Sequence, residues 1–382
     1  MSDEGFYWYW LCNISGIGNR KIKALLNTFS NPEEIYSAKK NMLEKVNGIS
    51  ADNAAAIVKS AKEGRAYEDF CRLSDKNIHF TYPGKDDYPR QFYEIYDKPY
   101  GLYYKGKIID STKPAVSIIG ARGCSEYGRT IAYQYAGRFS SIGIQIVSGM
   151  ALGIDTAGHR GALQHNGYTL AVLGCGVDIC YPRDNIGLYK DIIETGCVMS
   201  EYPPGTLPLK GQFPMRNRLI SALSDVVVVV EARKRSGSLI TVDQALEQNK
   251  DVMAVPGRIT DPLSEGCNRL VQMGASMILD WKDILLNKKI SGLYDDIKKY
   301  ENTDNKVKIK ENKNETIEFN ETGLARGKNM LYSCLDLYPK SINTIIEETQ
   351  MTIQEVSKAI VELELEGLVR EVSKGNYIRV HL

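Results

Sequence analysis

Five loops in the middle of the chain carry residue types suited to gripping a polyanion. Gly120-Ala121-Arg122-Gly123 follows the apolar run AVSII (115–119), and a loop with Gly149 and Gly153, ending at Asp155, follows IQIVS (144–148). Gly174-Cys175-Gly176, Asp178 and Tyr181-Pro182-Arg183 follow TLAVL (169–173). Glu201 to Thr206, Lys210 and Phe213-Pro214-Met215-Arg216-Asn217-Arg218 follow CVMS (197–200), and Glu231 to Ser238 follows DVVVVV (225–230). Glycine lets a backbone come close to phosphate, and the dipole of a helix starting there favours the anion. Arginine adds charge-assisted, often bidentate, contacts. Residues 113–286 hold 17 Lys plus Arg against 16 Asp plus Glu, yet nine of those cations (Arg122, Arg129, Arg183, Lys210, Arg216, Arg218, Arg233, Lys234 and Arg235) fall in or beside these loops. Tyr181 and Phe213 lie among them, and cations interleaved with aromatics are what unstacked bases need. The candidate site for a nucleic-acid strand is therefore Arg122, Arg183 and Lys210 on phosphates and Phe213 under a base. Gly149, Gly153, Arg216, Asn217, Arg218, Ser236 and Ser238 complete it.

Rival chemistries fit less well. Gly123 to Gly128-Arg129-Thr130 differs from a P-loop by Arg where the compact Lys belongs, and Val226 to Glu231 imitates the second nucleotide-hydrolysis motif. A nucleotide-binding Rossmann enzyme, or a degenerate P-loop protein, is thus the runner-up. Ser236-Gly237-Ser238 is not a nucleophile elbow. Asp155 and His159, spaced i, i+4, share one helix face and are expected to cap and brace that helix. No residue is assigned a catalytic role, so a non-enzymatic protein without a cofactor is expected. His159 and His165 do not have the i, i+4 spacing of a zinc pair, and no Cys/His cluster supports a metal.

Those loops need rigid elements to hold them in register. The β-branched runs just named, with VMAV (252–255), alternate with helical segments. Continuous apolar strands separated by helices predict a doubly wound, mostly parallel sheet covered on both faces, a Rossmann-like α/β fold. Its ligand edge lies beyond the carboxyl ends of the strands. The expected domain occupies 81–286, with a lead-in segment over 81–112. Residues 1–80 read as a helical module of helix-hairpin-helix, SAM-like type, with turns at Ser15-Gly16-Ile17-Gly18 and Asn47-Gly48-Ile49-Ser50; such turns can hold a phosphate or simply join two helices. Residues 287–326, rich in Lys, Asn, Glu and Asp, read as a flexible linker. Residues 327–382 outline a winged helix of three helices and a two-stranded wing. With six Lys plus Arg against eight Asp plus Glu, and Glu355, Glu362, Glu364 and Glu366 on its third helix, that module is not expected to read DNA.

Composition sets outer bounds. Forty-eight Lys plus Arg against 47 Asp plus Glu give a net charge of +1, so a polyanion must be held by clustered charge rather than a bulk field. Eight cysteines form no CxxC pair, which points to a reduced, cytoplasmic chain. No run of about 18 apolar residues suggests a membrane span, and the acidic, aromatic start is not a secretion signal.

Taken in order, the motifs resemble the DNA-processing protein A family (DprA, also called Smf). The resemblance rests on Ser148 to Asp155, Ala157-Gly158-His159, Gly174-Cys175-Gly176 with Asp178 and Tyr181-Pro182, Ser200 to Thr206, Phe213 to Ile220, Ser236 to Thr241, Val255-Pro256-Gly257 and Gly266 to Leu270. One departure is Ala121, where the family usually has serine. The resemblance implies a Rossmann-like domain that binds single-stranded DNA, forms homodimers, protects incoming strands and loads the RecA recombinase in natural transformation. It also implies that Arg122, Arg183, Lys210 and Phe213 match DNA-contacting positions.

Overall fold

The computed structural model describes residues 3–293 and 323–380. The chain divides into two units, described in turn. In the larger, β3 (Ala115–Ile119), β4 (Gln145–Ser148), β5 (Thr169–Val172), β6 (Cys197–Ser200), β7 (Val226–Val229) and β8 (Asp251–Ala254) are the six runs expected from the sequence. They pair in parallel in the order β6-β5-β4-β3-β7-β8. Nearly every residue in them is buried, as two covered faces require. One face packs on α10 (Gln212–Ala222) and α11 (Gly237–Glu247) through Val147, Leu170, Val172, Val227, Val229, Leu219, Ile220 and Val242. The other presents Ala171 and Val198 to Leu188 and Ile192 of α9 (Ile186–Thr195). Adjacent strand residues thus point to opposite faces, the period-two rule of a pleated sheet.

Three further strands extend the sheet. β9 (Ser276–Met277) adds in parallel to β8, β2 (Leu102–Gly106) pairs antiparallel with β6, and β1 (His79–Thr81) pairs antiparallel with β2. The expected lead-in segment, 81–112, therefore begins at the end of β1 and contains β2. Against it packs the N-terminal module of six helices, α1 (Asp3–Cys12) to α6 (Arg65–Asp75), with α2 at Asn19–Leu26. Trp8, Tyr9, Trp10, Leu11, Ile22, Leu25 and Ile57 share one core with Phe80, Tyr82, Tyr100 and Tyr103. Trp8 stacks on Tyr82 at 5.6 Å between ring centroids. This accounts for the aromatic start of the chain: the rings seal a helical layer onto a tyrosine-rich antiparallel edge.

Most of the linker expected at 287–326 lies outside the described residues. Its first residues do not behave as linker: Asn287 and Ile290 are buried, and the Asn287 side chain donates to Asp251 at 2.7 Å.

The smaller unit contains α13 (Gly323–Cys334), α14 (Ile342–Thr349) and α15 (Ile353–Leu365), with β10 (Lys340–Ser341), β11 (Val369–Ser373) and β12 (Asn376–Arg379) in antiparallel order β10-β12-β11. Leu331, Leu335, Ile345, Val356, Ile360, Leu363 and Val369 form its own core. Thr352 and Glu355 make a capping box that starts α15. This is the winged helix read from the sequence, with one more short strand than expected.

Candidate nucleic-acid interface

The chain runs outward from β3 in one direction through β4, β5 and β6, then crosses back to place β7 on the other side of β3. Such a reversal leaves a crevice beyond the carboxyl ends of the two central strands. Here it is an open cleft of about 630 Å³. The loop after β3 supplies Arg122 and Gly123. The loop after β7 supplies Arg233, Arg235 and the start of α11 at Ser236, Gly237 and Ser238, and the segment before α10 supplies Lys210. A side pocket of about 100 Å³ opens between Leu152, Tyr181, Pro182 and Phe213.

Helix α10 divides its residues by face. Phe213, Arg216, Asn217 and Ile220, at helical spacing, line the cleft. Met215 and Arg218 lie on the opposite side. Arg122, Lys210, Arg233 and Arg235 are exposed, and among the described residues none of them has a carboxylate in ion-pair range. The Arg122 guanidinium lies 5.6 Å from the centre of the Phe213 ring, and Tyr181 approaches that ring at 5.4 Å with a 33° tilt. Phe213 is half-buried, and a Cβ on Gly174 would stand 2.9 Å from its ring. Ser236 caps α11, accepting from the Ser238 N–H at 3.4 Å, with the two hydroxyls 2.7 Å apart. Helix-start N–H groups, exposed guanidinium groups and a partly open ring thus converge where a phosphate and a base could sit side by side.

Four of the candidate residues have other work. Arg216 is 6% exposed; it donates to the carbonyls of Gly149, at 2.9 Å, and Val172, and to the Asn217 side chain at 3.2 Å. Gly149 serves that cation, because a Cβ there would stand 2.8 Å from the guanidinium. Gly153, at φ +79°, lets two loops touch: its Cβ would lie 2.3 Å from the Ala121 carbonyl. Arg218 turns away and is held by Glu201 at 2.5 Å and Asp97 at 3.4 Å. Arg183 is exposed but does not line the cleft; the preceding Tyr181 and Pro182 line the side pocket instead. Arg233 and Arg235 are the converse, lining residues that the sequence placed in the right loop without singling them out. The signal for them was available, since both stand within three residues before the N-cap serine of the helix after the central valine strand.

Beneath the cleft, burial pushes Asp155 above the usual carboxylate range, while the Arg216 charge and the N–H groups of Ala151 and Gly149 pull it down. Those N–H groups donate to its carboxylate at 3.2 and 3.1 Å, so Asp155 braces the loop after β4. His159 engages Thr169 at 2.7 Å instead of Asp155. Burial, reinforced by the Arg216 charge, drives His159 down to about 3, so it is neutral. Burial also lowers Arg216, to about 10, which leaves it charged at neutral pH. In the look-alike P-loop the helix α7 (Glu126–Ser141) has already begun at Glu126, before Gly128, and Arg129 is in an ion pair with Glu126 at 3.2 Å. Among the described residues no group of His, Cys, Asp and Glu could hold a metal, and no helix is long and apolar enough to cross a membrane.

Comparison with known proteins agrees in order along the chain. Residues 11–63 match the SAM-like helix-hairpin-helix tandem, 79–289 match DNA recombination-mediator protein A, and 319–375 match the DprA winged helix domain. The chain is 31% identical over 396 aligned positions to the protein Smf of Synechocystis sp. PCC 6803, covering 99% of each. It is 46% identical over 201 residues to the DNA processing protein DprA of Streptococcus pneumoniae, covering 52% of this chain and 71% of that one. The X-ray structure of that pneumococcal DprA superposes with a TM-score of 0.65 at 36% identity, covering 74% of this chain and 97% of the other. With the central model spanning more than half of its length and a relative matched from end to end, the chain belongs to the DNA recombination-mediator protein A family, DprA/Smf.

Proposed function

We propose that this chain binds single-stranded DNA in the cleft between β3 and β7 and, without chemically changing the strand, passes it to the RecA recombinase in the cytoplasm. The observation that carries the reading is the set of four exposed cations, Arg122, Lys210, Arg233 and Arg235, around one half-buried ring at the switch point of the sheet. Cations without carboxylate partners attract a polyanion, and a ring among them suits a base more than a bare phosphate. RecA delivery and a homodimer are what membership of the family adds. The test sets a short oligo-dT against ATP, AMP and NAD. Retarded migration with oligo-dT at moderate salt, and no rise in melting temperature with the nucleotides, is expected; stabilisation by a nucleotide with no oligo-dT binding would overturn the reading.

The winged helix has a separate expectation. α15, the helix that would enter a major groove, exposes Glu355 and Glu364, with Glu366 at its C-cap, together with apolar Ile353, Val361 and Leu365. Carboxylates there repel phosphates, while exposed aliphatic side chains suit a protein surface. A fragment beginning at residue 327 should therefore bind duplex DNA at least tenfold more weakly than the full chain binds oligo-dT, as measured by fluorescence anisotropy. Tight duplex binding by the fragment would refute this.

A further inference from the structure

We propose a second contact surface for single-stranded DNA on the opposite side of α10, formed by Arg20 and Lys23 of α2 with Lys98 and Tyr96 of the segment before β2. It rests on the reading of the main cleft and extends the track that a long strand would follow.

A groove of about 150 Å³ is lined by Asn19, Arg20, Lys23, Tyr96, Asp97 and Lys98, with Tyr100 behind. Tyr96 is 81% exposed, more than any other aromatic among the described residues, and Tyr93 is 50% exposed. The Lys23 ammonium sits 4.5 Å from the centre of the Tyr96 ring, and Lys98 lies 5.2 Å from that of Tyr93. Among the described residues no carboxylate stands in ion-pair range of Arg20, Lys23 or Lys98; the one acid of the groove, Asp97, is engaged by Arg218. Burial and the charge of Lys23 both hold Lys98 below its ordinary pKa, a sign of cations crowded without compensation. The groove is rigid at its base, since Asn19 donates to Glu201 at 2.7 Å and Arg218 ties Glu201 to Asp97.

Continuity connects it to the main site. An intervening groove, lined by Asn19, Arg20, Asp97, Met215 and Arg218, reaches α10, whose other face carries Phe213 and Arg216. A strand leaving the cleft over the start of α10 meets Met215 and then Arg20. One face of Tyr96 is occupied by Lys23 and the ring is otherwise open, so a base can stack on it while phosphates lie against the ammonium groups. An acidic polypeptide would use the cations but leave the open tyrosine face without a purpose.

The experiment uses the full chain, an oligo-dT of about six nucleotides and another of about thirty, spanning the range of single-strand site sizes. The variants are Tyr96→Ala, Tyr96→Phe and the triple change Arg20→Gln, Lys23→Gln, Lys98→Gln. Binding of the short oligomer should be unaffected in all of them. For the long one, the triple variant should lower the slope of log affinity against log salt by about 2, three contacts at roughly 0.7 each. Tyr96→Ala should weaken it roughly five- to hundredfold, and Tyr96→Phe should restore it. Parental affinity and slope on the long oligomer would overturn the proposal, as would equal losses on both lengths. So would polyglutamate binding that the triple variant abolishes while oligo-dT binding is unchanged. A failure of the main cleft is distinguishable, because Arg122→Ala with Lys210→Ala would then leave the short oligomer bound.

Discussion

Replacing Arg216 by methionine is expected to cost about 3–5 kcal/mol of folding stability, the range seen when one member of a buried charged network is removed. Methionine keeps the unbranched apolar stem and removes the guanidinium with its charge. It would leave the carbonyls of Gly149 and Val172 without their donor and the Asp155 carboxylate buried without the cation that offsets its desolvation. The pH dependence follows from Asp155, already raised by burial and raised further once Arg216 is gone. An acid with its folded pKa above the unfolded value lets the native state hold the extra proton, so stability is recovered as pH falls through that raised pKa. The loss should therefore be largest near pH 8 and shrink toward pH 5, as measured by urea unfolding of both proteins across that range. Arg216→Lys should recover only part, since an ammonium cannot reproduce the forked donation. A variant that unfolds like the parent yet fails to bind oligo-dT would make Arg216 a direct DNA contact, as its place in the sequence motif first suggests.

That contrast marks where the sequence was legible. The six parallel strands could be read because each is a short β-branched run buried on both faces, with a helix between it and the next. The ligand edge followed, since glycine and arginine accumulate where strands end. β1 and β2 escaped because an antiparallel edge pair obeys no such alternation, and Leu102-Tyr103-Tyr104 has no helix announcing it. Within the site, residue type could not separate Arg122 from Arg216 and Arg218. All three are arginines at the ligand edge, but a helix turns successive residues by 100°, so α10 sets Arg216 in the cleft wall with its guanidinium spent on the Gly149 and Val172 carbonyls and turns Arg218 to the far side. Arg183 shows the same limit in a loop, where the cleft-facing residue proved to be its neighbour Tyr181.

If Arg122, Lys210 and Phe213 hold the strand, their removal should produce two distinguishable signatures. Arg122→Ala, Lys210→Ala and Arg235→Ala should each weaken oligo-dT binding and lower the salt slope by roughly 0.7, one counterion fewer being released. Arg183→Ala should do so less, because its side chain is not part of the cleft lining. Phe213→Ala should cost about 1–3 kcal/mol of binding with the slope nearly unchanged, as for loss of a stacked base. Arg122 complicates this in a useful way: its guanidinium lies over the Phe213 ring, so the two losses should be non-additive in a double-mutant cycle, while Lys210 and Phe213 lack that direct contact. Phe213 is also half-buried against Gly174, so some fall in melting temperature is expected with it. Phe213→Leu separates the two effects, since it keeps apolar volume beside Gly174 but removes the π-face: melting temperature should be restored and affinity should not. The measurements are anisotropy titrations with oligo-dT at several salt concentrations, paired with thermal melts. Recovery of full affinity in Phe213→Leu would reduce the ring to packing. Parental affinity and slope in both Arg122→Ala and Lys210→Ala would place the strand somewhere other than the crevice between β3 and β7.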